Sequence, residues 1–188
     1  MNEIASPLQL RMAFLRWALF FVPLFVLLGF ASAMLAGSGE ENRWFAALAK
    51  PDAQPPGWVF GVAWTFLYIL TGLAFTLVFC ARGARLRGLA LILFVAQFAL
   101  NLFWSPYFFG MHQVTGAFYL IILILVVAMA TTMAFGRIRA LAAWFMVPYL
   151  AWLCFAAILN KQIDTLNPDA ETLIVPRGGQ TFTLPPAT

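Results

Sequence analysis

A chain of 188 residues with 63% hydrophobic and only 10% charged residues, at a mean hydropathy of +0.89, is excluded from the ordinary water-soluble class. Its net charge of +4 is no nucleic-acid footprint, because the basic residues sit at the ends of apolar runs and form no single patch. What remains is an all-α membrane protein: the period-2 alternation of a membrane barrel is absent, and the bilayer core offers no water to satisfy any backbone other than a helix.

Crossing ~30 Å of hydrocarbon takes about 20 mostly apolar residues. Uncharged windows of that length fall at 17–35, 58–81, 88–109, 115–135 and 140–160. They predict a five-transmembrane-helix bundle over 17–160, preceded by a lead of residues 1–16 and followed by an extended or disordered tail, 161–188. In the first window, Arg11 and Arg16 precede an apolar run ending at Ala31-Ser32-Ala33, which resembles a small-residue cleavage site. The run is longer than the ~7–15 residues of a signal h-region and contains Pro23, so a retained helix is expected. Gly29, Ala33 and Gly37 form a small-xxx-small series that permits close helix approach, within the bundle or between two copies.

The link 37–57 is long enough to act as a lid. Pro51, Pro55 and Pro56 fix φ and delay the second helix, which then carries Trp58, Trp64 and Tyr68 into the membrane. The links 82–87 and 136–139 are tight charged hairpins, so the helices they join pack as antiparallel neighbours. Gly61, Trp64, Tyr68 and Thr71 share one face of the second helix. Gln97, Asn101, Trp104, Ser105 and Phe108 share one face of the third, and Tyr149, Trp152, Ala156 and Asn160 one face of the fifth. Amides in hydrocarbon need partners, so Gln97 and Asn101 point into the bundle, toward other helices or toward a ligand. If the three faces converge, they line a cavity of indole and phenol rings with a few amides, suited to a flat, mostly apolar ligand. The alternative is plain core packing, with Trp17, Trp44, Trp58 and Trp144 in the interfacial belts.

His112, in the link before the fourth helix, is expected to be an exposed loop residue, although one imidazole is compatible with axial haem ligation. Cys80 and Cys154 are expected to pack as small apolar residues, with neither a disulfide nor a metal between them. The spans hold no carboxylate, no basic residue and no histidine, so no catalytic residues are assigned and proton-coupled transport through buried acids is disfavoured. An odd number of spans sorts the charges into two sets. Arg11, Arg16, Arg82, Arg85, Arg87, Arg137 and Arg139 lie at one end; Arg43, Lys50, Lys161, Arg177 and six of the seven acids lie at the other. The positive-inside rule then predicts a multi-pass protein with its N-terminus inside and its C-terminus outside, leaving inner and outer membrane as alternatives.

Four ordered motifs carry a family resemblance: Trp44-x3-Leu48-x-Lys50-Pro51; Pro55-Pro56-Gly57-Trp58-Val59-Phe60 with Trp64 and Tyr68; Gln97-x3-Asn101-x2-Trp104-Ser105-x2-Phe108-Phe109-Gly110; and Pro148-Tyr149-Leu150-Ala151-Trp152 with Leu159-Asn160. The chain resembles the tryptophan-rich sensory protein or translocator protein family (TspO/MBR, peripheral benzodiazepine receptor) across nearly all five spans. That resemblance implies a bundle, commonly dimeric, whose first loop lids a cavity for porphyrins, haem and, in some members, sterols or benzodiazepine-type drugs. By position it implies that Trp64, Asn101, Trp104, Tyr149, Trp152 and Ala156 line the cavity, with Trp44 and Pro51 in the lid. The stripes add Tyr68, Gln97 and Phe108. Ala53 stands where the family usually has an aromatic residue between the loop prolines. Lys161-Gln162-Ile163 follows Asn160 where a sterol motif would need a tyrosine, so sterol binding is not assumed.

The expectation is a non-enzymatic membrane protein that senses, sequesters or translocates tetrapyrroles, with no obligatory cofactor and porphyrin or haem as ligand. Its partners are the bilayer, such a flat apolar molecule and a second copy in a homodimer, with no nucleic acid. The alternatives are a transporter of the same ligands and a porphyrin-degrading enzyme using Trp64 or Trp152 as a redox-active indole.

Overall fold

The first helix starts well before its apolar window. The Ser6 hydroxyl accepts from the Gln9 amide at 3.3 Å and the Gln9 side chain accepts from the Ser6 amide at 2.8 Å, closing a capping box with Pro7 at the first helical position. In the computed structural model, which describes residues 6–174, helix α1 therefore spans Pro7–Leu35. Most of the expected lead is helical, because Arg11 and Arg16 are exposed on α1 and a charge that ends an apolar window need not end a helix.

A short helix α2, Arg43–Ala47, lies inside the expected lid. Asn42 accepts from the Phe45 amide at 3.0 Å to start it, and the Lys50 ammonium donates to the Phe45 carbonyl at 2.9 Å at its other end. Helix α3, Gly57–Phe79, begins directly after Pro56, its first amide donating to the Glu40 carboxylate at 2.9 Å. Helix α4, Arg87–Ser105, runs into one π-helical turn, Pro106–Gly110, and is followed by α5, Val114–Gly136, and α6, Ala140–Leu166. The five long helices are apolar enough to cross a membrane; 23 residues of α3 reach about 35 Å at ~1.5 Å per residue. No strand occurs among the described residues. The all-helical fold class is as expected.

Pro106 explains how α4 ends. A proline has no N–H for the Leu102 carbonyl four residues back, and the Ser32 hydroxyl of α1 donates to that carbonyl instead, at 2.5 Å. Ala31-Ser32-Ala33, which looked like a cleavage motif, lies within α1, and its serine ties α1 to α4. Helix α6 also outruns its window at 160, since Lys161 and Asp164 pair along it at 2.6 Å and it stops only before Pro168.

Residues 167–172 then turn back over the lid, so this part of the expected tail is packed and not extended. Asn167 accepts from the Ala49 amide and donates to the Ala49 carbonyl, both at 2.8 Å. The Trp44 indole donates to the Ala170 carbonyl at 2.9 Å, where a single 3₁₀ turn, Ala170–Thr172, is packed. Glu171 accepts from the Thr115 amide at 3.1 Å, capping the start of α5. The expectations placed on Pro176, Arg177 and the last prolines lie outside the described residues.

Helix α5 packs along α6 and α4, α1 along α3, and α3 across α6. The centre is aromatic: Phe94 sits 4.8 Å from Phe75, 5.3 Å from Phe25 and 5.9 Å from Phe135, ring centre to ring centre. Buried Thr71, Thr76 and Thr131 return their hydroxyls to carbonyls one turn back at 2.7–2.8 Å, so no polar group there is left open.

Candidate functional site

The three polar stripes do converge. The Tyr68 hydroxyl of α3 donates to the Asn101 side-chain oxygen of α4 at 3.1 Å, and the Tyr149 hydroxyl of α6 donates to the Gln97 oxygen at 2.8 Å. The Asn101 and Gln97 oxygens are each met by a phenol from another helix, which fixes the mutual rotation of α3, α4 and α6. Asn160 of the α6 stripe donates to the Val114 carbonyl at 3.0 Å, and its own oxygen has no partner. Gln97 and Tyr149, 1% and 3% exposed, are consumed in this pairing and stand behind the cavity wall.

Outside the paired phenols a cavity of about 150 Å³ opens. Of the residues singled out in the sequence, Gly61, Trp64, Tyr68, Asn101, Trp104, Ser105, Trp152 and Ala156 line it. Trp64 stacks on Tyr68 at 5.3 Å and meets Trp152 edge-on at 6.4 Å, while Phe60 packs edge-on against Trp152 at 5.8 Å. The indole Nε1–H of Trp104 is buried and donates to nothing. An unpartnered donor in a low-dielectric wall costs ~1–3 kcal/mol, and an acceptor brought by a ligand would remove that cost.

Helix α1 supplies a wall that the stripes did not include. Gly29, Phe30 and Ala33 line the cavity, and a Cβ on Gly29 would overlap the edge of the Tyr68 ring. Gly29 of the small-xxx-small series therefore makes an internal contact that lets Tyr68 stand between α1 and α4, while Gly37 lies past the end of α1 at φ +61°. At Gly61 a side chain would meet open space, so the cavity mouth lies beside it.

Three further residues lie elsewhere. Phe108 follows Pro106 into the π turn, which breaks the 3.6-residue register, and it is carried out of the cavity into a second cluster with Trp44, Phe45, Leu48, Val114 and Ile163. There it stacks on Trp104 at 5.0 Å and meets Trp44 at 5.5 Å, so it forms the partition between lid and cavity. Trp44 thus covers the cavity only through Phe108. Pro51 lines a separate outer groove with Phe118, Ile158 and Lys161. His112 is not a free loop side chain, as it lies flat on Trp44 at 4.4 Å with 13° between the planes. Cys80 is half-buried and Cys154 exposed on α6; both are free thiols. Among the described residues no group of three or more His, Cys, Asp or Glu side chains is placed to hold a metal.

Residues 16–166 match the TspO/MBR family along their whole length. The chain belongs to the TspO/MBR family. It is 41% identical over 124 residues to the translocator protein of Homo sapiens, covering 65% of this chain and 73% of that protein. It is 36% identical over 151 residues to the tryptophan-rich sensory protein of Cereibacter sphaeroides, covering 80% and 92% respectively. Protein CrtK of Rhodobacter capsulatus is 35% identical over 130 residues, covering 69% and 81%. The TspO/MBR match ends at Leu166, so Asn167 and Ala170, which hold the lid in this member, and Glu171, which caps the start of α5, lie beyond the matched region. As a TspO/MBR protein with five apolar helices, it is an integral, multi-pass membrane protein.

Proposed function

We propose that this TspO/MBR protein binds flat, mostly apolar molecules of the tetrapyrrole class, porphyrin or haem, in the cavity between α1, α3, α4 and α6, and senses, sequesters or translocates them without covalent chemistry. The observation that carries the reading is the Trp104 indole N–H, buried and unpartnered in a wall of aromatic and aliphatic side chains that also holds Asn101 and Ser105. Indoles and phenols offer stacking faces, and Trp104 with Asn101 offers polar groups that orient an apolar ligand. The lining carries no carboxylate, imidazole, amine or thiol, which supports binding over acid–base or nucleophilic turnover.

The resting volume constrains how binding proceeds. About 150 Å³ is below the ~300–1,000 Å³ of pockets that enclose drug-sized ligands, so a tetrapyrrole enters only if Phe60, Trp64 or Trp152 swings outward or the lid lifts. Such opening is coupled to ligand size: a small aromatic is accommodated without it, a macrocycle requires it. Titration of the purified protein with protoporphyrin IX and with haemin, followed by ligand absorbance, tests the reading. Saturable binding weakened by both Asn101→Ala and Trp152→Ala is expected; binding indifferent to both substitutions overturns the site.

A further inference from the structure

The geometry points to a second site, for a phospholipid of net negative charge, in a groove at the opposite end of the bundle from the lid. The first turns of α1, the end of α3 and the start of α6 leave a groove of about 1000 Å³ there, rimmed by Arg11, Arg16, Arg82 and Arg139. All four arginines are exposed. The acids within the described residues, Glu40, Glu41, Asp52, Asp164, Asp169 and Glu171, belong to the lid end, and the one ion pair among the described residues is Lys161 with Asp164. Among the described residues, the four guanidiniums therefore line the groove with no carboxylate partner at that end.

The walls of the groove are of the opposite character. Phe14, Trp17 and Leu141 line it between and beside the arginines, and Trp17 is held edge-on against Phe79 at 4.8 Å. A charged rim beside an apolar wall, at the height where α1 and α6 enter the membrane, matches a lipid: phosphate oxygens take forked N–H pairs from guanidinium while an acyl chain lies along the rings. A soluble anion would use the rim alone and leave the walls to ordinary annular lipid. Arg87 is engaged otherwise, donating to the Phe79 carbonyl at 2.9 Å with its guanidinium over the Phe79 ring, so it closes α3 and is not counted in the site. Arg85 and Arg137 lie at the same end of the molecule but off the groove, and they provide the control. This site is independent of the tetrapyrrole reading.

The test is lipid competition on the full chain, exchanged into nanodiscs of phosphatidylcholine with a minor fraction of phosphatidylglycerol, with bound lipid counted by native mass spectrometry after release. The wild type is expected to retain phosphatidylglycerol in preference to phosphatidylcholine. At about fivefold per arginine near a membrane surface, Arg82→Gln with Arg139→Gln lowers that preference roughly 25-fold. Arg85→Gln with Arg137→Gln, removing the same charge from the same end, is expected to leave it unchanged. Equal losses in the two double variants would reduce the effect to general surface charge and overturn the site, as would an absence of preference in the wild type. Displacement of phosphatidylglycerol by millimolar inorganic phosphate would show that the rim takes a soluble anion, which also overturns it. The thermal midpoint of each variant in detergent reports that the bundle is folded.

Discussion

Removing the Asn167 side chain unlatches the lid while leaving the bundle intact. Asn167→Ala deletes two hydrogen bonds to Ala49, both 2.8 Å, which join the lid to the end of α6. Each is worth ~0.5–1.5 kcal/mol net, and because both lie at an exposed position water replaces them, so the pair contributes about 1–2 kcal/mol. The bond from Trp44 to the Ala170 carbonyl survives, since its acceptor is backbone. A loss of 1–2 kcal/mol multiplies the population of the open lid by about 5–30. Native-state hydrogen exchange reads this directly at the amides of Ala46 and Leu48, which bond within the lid to Asn42 and Phe45. They are expected to exchange about 5–30 times faster in Asn167→Ala, with the amides of α3–α6 unchanged. Unaltered exchange at Ala46 and Leu48 would mean that Asn167 does not hold the lid; acceleration throughout the bundle would mean that it acts on global stability.

Two further substitutions probe the cavity wall. Gly29→Ala places a methyl group in overlap with the edge of the Tyr68 ring, and the displaced phenol gives up its bond to Asn101, so a destabilisation of ~1–3 kcal/mol is expected from overpacking and seen as a lower thermal midpoint in detergent; an unchanged midpoint contradicts the packing described. Trp104→Phe keeps a ring in place but removes the unpartnered N–H, so stability holds or rises by about 1 kcal/mol while porphyrin affinity falls about 5–10-fold. A fall in stability without any loss of affinity would show that the indole N–H serves the fold and not the ligand.

How much of this was legible in the sequence depended on the kind of signal. The five spans follow from composition, because the bilayer leaves a long apolar segment one choice. Their ends do not: the α1 start is set by the reciprocal bonds of Ser6 and Gln9, and the α6 end by Pro168, so windows bounded by Arg16 and Lys161 stop short at both. The stripes on α3, α4 and α6 were readable because Asn101, Gln97 and the indoles are anomalous in hydrocarbon. Gly29 carries no such anomaly, and its place opposite Tyr68 is a tertiary fact. A 3.6-residue period carried through Pro106 places Phe108 on the cavity face, and the π turn there rotates it toward Trp44. The lid's contacts with Asn167 and Ala170 span more than a hundred residues of sequence, beyond the reach of any local pattern.

A tetrapyrrole is expected to occupy the space between Trp64, Trp104 and Trp152. The most direct test is the structure of the protein with protoporphyrin IX bound. The expected result is a macrocycle stacked among those three indoles, with an acceptor within hydrogen-bond reach of Trp104 Nε1 and with Trp152 or the lid displaced from its resting position. A macrocycle seated instead in the outer groove beside Pro51 and Phe118, with the inner cavity still about 150 Å³, would contradict it.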